Sequence, residues 1–247
     1  MNCKNCGSYE LIKAHLIPRA FCVEIQTGKS HAAAATQNGG FEVKQSGVWD
    51  REILCGDCDG KLGVFEQYAH GVAQDIRQHG SGVSWKANLL VGTENLRILR
   101  FCAGILYKYS LTTRSNGRIE LGRYKDVLRE FIFNLDSNVP SELDVIVMRP
   151  LRYSDDRDVF AYRAPVMDYQ SGVNLYRMMM GGLIFFVHLD KRTVTEERVQ
   201  KMLIKNCTEG LPFMTVDAAN FEEFTMPREM IQSNERLSAY LDKNPSS

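Results

Sequence analysis

Apolar positions recur with a helical period through the first half of the chain and with a strand period through much of the second. From Asp59 the sequence reads "DGKLGVFEQYAHGVAQDIRQHG". At 100° per residue, Leu62, Phe65, Tyr68, Ala69, Val72, Ala73 and Ile76 fall on one broad face, which predicts an amphipathic helix ending near Gly80. Asp57 and Asp59 stand at its start, where negative charge suits the helix dipole. A more apolar helix is expected from about Thr93 to Ser110, and the helical part runs on to residue 135. Beyond it the period shortens. "LDVIVMRPLR", "VFAYRAPVMDY" and "GLIFFVHLD" read as strands, with a turn at "SDDRD". The run "MMMGGLIFFVHL", residues 178–189, is too short to span a bilayer and reads as a buried strand that ends near a core histidine, His188. "TEERVQKMLI" reads as a helix, with Thr193 and Glu196 at capping-box spacing. "PREMIQSNERLSAYLDK" reads as a closing helix with Pro227 near its first turn, ahead of an "NPSS" tail expected to be disordered.

Cysteine spacing adds chemistry to this pattern. Cys3 and Cys6 form one CxxC, and Cys55 and Cys58, in "ILCGDCDGKLG", form another at the head of the first helix. Cys22, Cys102 and Cys207 stand alone and read as small buried hydrophobes. Two CxxC turns offer four thiolates, the donor set of a tetrahedral structural Zn²⁺, whereas a redox pair needs only one. The chain lacks the basic-then-apolar start of a secretory leader, so a cytoplasmic setting is expected, where paired cysteines bind metal rather than each other. The first pair precedes a strand-like "YELIKAHLIP". Knuckle, strand region and a helix whose first turn carries two ligands is the order of a treble-clef zinc finger. Residues 23–48 are polar and rich in Gly, Ser, Thr and Ala, and read as a long excursion between strands. The "GKS" within them is not a phosphate loop, because Val23 stands where that loop requires glycine. His15, close behind the first pair, is open to three readings: a metal ligand, a catalytic base or a core residue.

Residues 1–80 resemble the HNH endonucleases. "AHLIP" resembles the family's first strand and "DREILCGDCD" the run into its second knuckle. The resemblance implies a treble-clef, ββα-metal core with His15 as general base. It puts Asp50 where the family has its middle Asn, and Asp59 where it has a metal-binding Asn or His. Ala14 stands where the family's nucleases commonly carry a ligand for the catalytic ion. Glu66 and His70 lie on the same helix edge as Asp59 and complete a candidate Asp–Glu–His cluster. The implied chemistry is phosphodiester hydrolysis: the imidazole takes a proton from water, and Mg²⁺ or Mn²⁺ at Asp59 stabilises the developing charge. Asp50 would fix the imidazole tautomer, and Lys13 or Arg19 would hold a phosphate. "LRILRFCAGILYKYSL" and "LGRYKDVLREFIF" are similar to the C-terminal parts of uncharacterised bacterial HNH-like proteins, which implies a setting in bacterial or phage defence.

Charge narrows the partner. The chain holds 30 basic and 30 acidic residues, so no global field draws it to nucleic acid. Residues 97–129 differ: Arg97, Arg100, Lys108, Arg114, Arg118, Arg123, Lys125 and Arg129 face only Glu120 and Asp126. Such a stretch can track phosphates, with Arg114, Arg118, Arg123 and Lys125 as candidate contacts, although it overlaps an apolar helix and some arginines could pair with acids elsewhere. A 44% hydrophobic share argues for a packed core rather than a disordered chain. The expected architecture is α+β: a treble-clef zinc, HNH-like domain over residues 1–80, then a mixed helix and antiparallel-sheet region over 81–247, with strands at 143–190 and helices at 194–242. Two functions follow, neither involving a membrane. One is an HNH-type nuclease acting on DNA. The other is a catalytically degenerate treble clef that binds nucleic acid or protein. A regulatory protein partner acting on the C-terminal region is a further expectation.

Overall fold

The computed structural model describes residues 1–25, 32–35, 41–44, 47–79, 87–154, 156–159 and 161–243. A cysteine turn leads to a two-residue strand, Ala14–His15 (β1), and a short helix, Arg19–Val23 (α1). Ala32–Ala35 (β2) and Phe41–Lys44 (β3) pair as a separate ribbon. Trp49–Asp50 (β4) returns to β1, and the long helix Gly56–Gln78 (α2) follows. Next come Ala87–Val91 (β5), Asn95–Leu111 (α3), a 3₁₀ turn at Arg114–Asn116 and Tyr124–Phe133 (α4). The chain then forms Leu143–Leu151 (β6), Arg163–Gln170 (β7), Val173–Met180 (β8) and Leu183–Leu189 (β9). It closes with Glu197–Gln200 (α5), Gly210–Asp217 (β10), Glu222–Ser233 (α6) and Glu235–Lys243 (α7). The result is a mixed α+β fold around a six-stranded sheet of order β5-β10-β6-β9-β8-β7.

Both faces of the sheet are covered, and the strand alternation divides the core accordingly. On β6, Val145 and Val147 join the cluster formed with α2, α3 and α4, whereas Ile146 and Met148 face Met202, Ala218, Phe221 and Phe224 on the other side. Helix α3 is buried from Ile98 through Ser110, the signature of a helix enclosed on all sides. Each large aliphatic or aromatic side chain so enclosed contributes about 1.5–3 kcal/mol. Arg149 on β6 donates to the Ile76 and His79 carbonyls and so closes the C-terminal end of α2. No helix among the described residues is long and apolar enough to cross a membrane.

Several expectations change. The run at 178–189 is a hairpin: Gly181 and Gly182 have φ of +61° and +72°, Met180 pairs with Leu183, and the two glycines form the tight turn. A Cβ on Gly181 would also lie 2.5 Å from the Phe21 ring. The sheet is mixed rather than antiparallel, because β10 runs parallel to β6. The helix expected from residue 194 is only α5. Val194 is buried with its carbonyl bonded by the Gln200 amide, the capping box at Thr193 does not form, and the chain reaches Glu196 unwound. The closing helix is two helices. It starts at Glu222, so Pro227 is its sixth residue, and Asn234 interrupts it by accepting the Leu237 amide as a new cap. "YELIKAHLIP" contributes one two-residue strand and a bridge from Leu11 to Cys55. Within the excursion only β2 and β3 are described between residues 26 and 46; "GKS" and the "NPSS" tail lie outside the described residues.

His188 on β9 is buried, as expected, and sits in register with Leu175 and Asp144. Burial lowers its pKa, while the Asp144 carboxylate accepts the Val145 and Lys205 amides instead. A depressed imidazole leaves stability unaffected above the unfolded pKa of about 6.5 and costs stability as pH falls below it, because the unfolded chain then binds the extra proton. Urea melts between pH 7 and pH 5 should show wild type losing stability faster than His188→Gln. Parallel curves would place the acid sensitivity elsewhere.

Candidate metal centre and its surroundings

Two backbone turns bring the cysteine pairs together. In the first, the Cys3 amide bonds the Ser8 carbonyl, the Gly7 amide bonds the Cys3 carbonyl, and Gly7 takes a left-handed φ of +80°. Lys4 and Ile12 donate to the Ile53 and Leu54 carbonyls, which fasten this turn against the second. Cys55 is the N-cap of α2 and Cys58 lies in its first turn. The four sulfurs lie within 4.8 Å of one another, with Cys6 and Cys55 at 3.6 Å. A zinc–sulfur bond of about 2.3 Å in a tetrahedron sets neighbouring sulfurs about 3.8 Å apart, so the spacing fits zinc. Cys3, Cys6, Cys55 and Cys58 are the group among the described residues that could hold a metal ion. Four thiolates leave no open position for a substrate. The Asn5 amide donates to Cys58 Sγ at 3.2 Å, the kind of outer contact that orients a ligand. Burial opposes ionisation of Cys3, but the backbone amides of Cys6, Cys55 and Asn5 outweigh it and bring the thiol down to about 6. Burial and the neighbouring sulfurs push Cys58 up. Successive thiolates thus repel one another until a cation neutralises them.

The residues assigned from the resemblance separate into distinct surroundings. In the β1–β4 ribbon Ala14 pairs with Asp50, and His15 with Trp49. Alternation places Ala14 and Asp50 on the buried face and His15 beside Trp49 on the other. Asp50 therefore does not orient the imidazole. Its carboxylate accepts the Thr112 hydroxyl at 2.6 Å and the Glu52 amide at 2.8 Å, which ties β4 to the end of α3. Glu66 accepts from the Lys108 ammonium, and the same ammonium donates to the His15 carbonyl. Asp59 lies within the field of both Lys108 and Glu66, and burial raises its pKa. His70 turns elsewhere. Its Nε2 lies 2.9 Å from Glu24, which also accepts Arg77 at 2.7 Å, and its ring meets Phe21 edge-on. Arg19 is exposed and lines, with Glu24 and His70, a pocket of about 550 Å³. Asp59, Glu66 and His70 thus share a helix edge but not a partner: the cluster expected from their spacing is divided between Lys108 and Glu24.

The basic stretch also divides. Lys108 is fully buried, and Arg100 is buried with its guanidinium on the Leu135 carbonyl and against the Phe131 ring. Arg114 and Arg123 are exposed, Lys125 is half-buried, and Arg118 makes a surface pair with Glu120 at 3.2 Å. Lys13 is exposed with its ammonium 4.4 Å from the centre of the Trp49 ring. The sequence placed Lys108 in the basic stretch without assigning it a role, and assigned none to Thr112, Glu24 or Trp49. The signal for Lys108 was its place in "LRILRFCAGILYKYSL", where little else is charged. Compared with protein-family models, curated proteins and solved structures, the chain matches none of them.

Purified protein should carry one zinc per chain by elemental analysis, and Cys55→Ser should lower both metal content and folded yield. Folded protein without zinc would refute the site. Removing one partner of a buried ion pair costs about 3–5 kcal/mol, so Lys108→Ala should lower unfolding free energy by that amount in urea titrations. Lys108→Met combined with Glu66→Gln should recover much of it, because no charge is then left unpaired.

Proposed function

We propose that the chain is a zinc-held, HNH-like treble-clef module that binds nucleic acid without cutting it. The observation that carries this reading is Lys108. Its ammonium, buried between Glu66 and the His15 carbonyl, brings a positive charge to bear on Asp59, the residue to which the HNH resemblance assigns the divalent ion. A second cation beside it would meet Coulomb repulsion in a site poor in water. Ala14 offers no ligand, Asp50 is held by Thr112, and His70 is held by Glu24. What supports binding is the exposed run Arg114, Arg118 and Arg123 with half-buried Lys125, against which the Arg118–Glu120 pair is a weak surface contact.

Metal-dependent hydrolysis of DNA is the second reading. It is favoured by Asp59 and Glu66 bearing on one cation position, which Mg²⁺ or Mn²⁺ would take if Lys108 withdrew. The two readings part in one experiment. Zinc-loaded protein is incubated with DNA and RNA in Mg²⁺ and in Mn²⁺, and binding is followed by anisotropy over a range of salt. We expect no cleavage and a salt-dependent affinity. Arg114→Glu with Arg118→Glu should weaken binding and lower the log–log salt slope by about two. Cleavage that disappears in His15→Ala and Asp59→Ala would establish the nuclease instead.

A further inference from the structure

We propose that Trp49, with Lys13 and Arg51 against its ring, is a stacking platform for an unpaired base, so that the ligand is a single-stranded nucleic acid. The proposal rests on the nucleic-acid reading above and specifies its substrate. Trp49 remains 38% exposed on the outward face of the β1–β4 ribbon, while its neighbour Asp50 faces inward. The Lys13 ammonium lies 4.4 Å and the Arg51 guanidinium 5.3 Å from the ring centre. Exposed cation–π contacts of this kind are worth about 0.5–1 kcal/mol, whereas stacking of a base on an aromatic ring is worth about 1–3 kcal/mol. A base can therefore displace either cation from the ring, and the long side chains can then move to the flanking phosphates.

The surroundings favour an anionic strand. The Asp50 carboxylate is turned away and occupied by the Thr112 hydroxyl and the Glu52 amide. Of the two acidic residues that flank Arg51 in the chain, Asp50 is buried and Glu52 alone is exposed. Thr112 in turn accepts from Asn116 at 3.1 Å, so the 3₁₀ turn carrying Arg114 is fastened beside β4. One buried hydrogen bond, Thr112 to Asp50, thus ties the strand that precedes Arg51 to the turn that carries Arg114. A duplex presents phosphates and base edges but no open base face, and cannot use an indole placed this way; an unpaired strand can.

The test uses the full zinc-loaded chain with labelled oligo(dT), oligo(rU) and a duplex of equal length. At least one single strand should bind more tightly than the duplex and quench tryptophan fluorescence. Trp49→Ala should weaken that binding by about 5- to 100-fold. Trp49→Phe, which keeps a ring, should lose far less, and circular dichroism with zinc content should show both variants folded. Lys13→Ala with Arg51→Ala should reduce the salt dependence. If the duplex binds as well as the strands and Trp49→Ala binds like wild type, while Arg114→Glu with Arg118→Glu still weakens binding, the platform is wrong and the nucleic-acid reading stands. If wild type binds none of the three, that reading fails and this inference fails with it.

Discussion

One buried ammonium joins three parts of the molecule that are remote in sequence. Lys108 extends from α3 to the carbonyl of His15 on β1 and to the carboxylate of Glu66 on α2. A charge without solvent must be paired and hydrogen-bonded, so the spacing of these three elements is fixed by the reach of one side chain. The cysteine knot lies at the far end of the same two elements: the first knuckle precedes β1 and the second opens α2. Formation of the knot and docking of α3 thus act on a common geometry, and Asp50 to Thr112 adds a second tie at the end of α3.

This arrangement converts groups suited to chemistry into groups that hold the fold. A histidine, two aspartates and a glutamate near four clustered cysteines are sufficient material for hydrolysis. Here a backbone amide, a threonine hydroxyl and a lysine use two of the three carboxylates, Asp50 and Glu66. The polar groups left at the surface include the Trp49 indole with Lys13 and Arg51 against its ring, and the guanidinium groups of Arg114 and Arg123.

Much of the fold was legible from pattern alone. The buried face of α2 contains Leu62, Phe65, Ala69, Val72, Ala73 and Ile76 because helical periodicity is a local property. The cysteine pairs were legible for a similar reason, since a CxxC turn is local and two of them have few other uses. What escaped detection was long-range. Helical spacing aligned Glu66 with His70, yet a lysine 42 residues on took the first and a glutamate 46 residues back took the second. Whether Asp50 could reach His15 depended on a strand register that neither segment reveals by itself. β10 was missed because Pro212 lies within "GLPFMTVD" and the segment pairs in parallel on one side and antiparallel on the other.

The sheet order carries a consequence for how the chain is made. β5 bonds only to β10 within the sheet, and the two are separated by more than a hundred residues of intervening sequence. During synthesis β6 to β9 can assemble as soon as they emerge, since each of these strands borders another from the same stretch. Over that interval β5 has no partner and one edge of β6 is bare, with its amides and carbonyls open to any passing strand. Until Gly210–Asp217 arrives, that open edge exposes the nascent chain to pairing with the wrong strand.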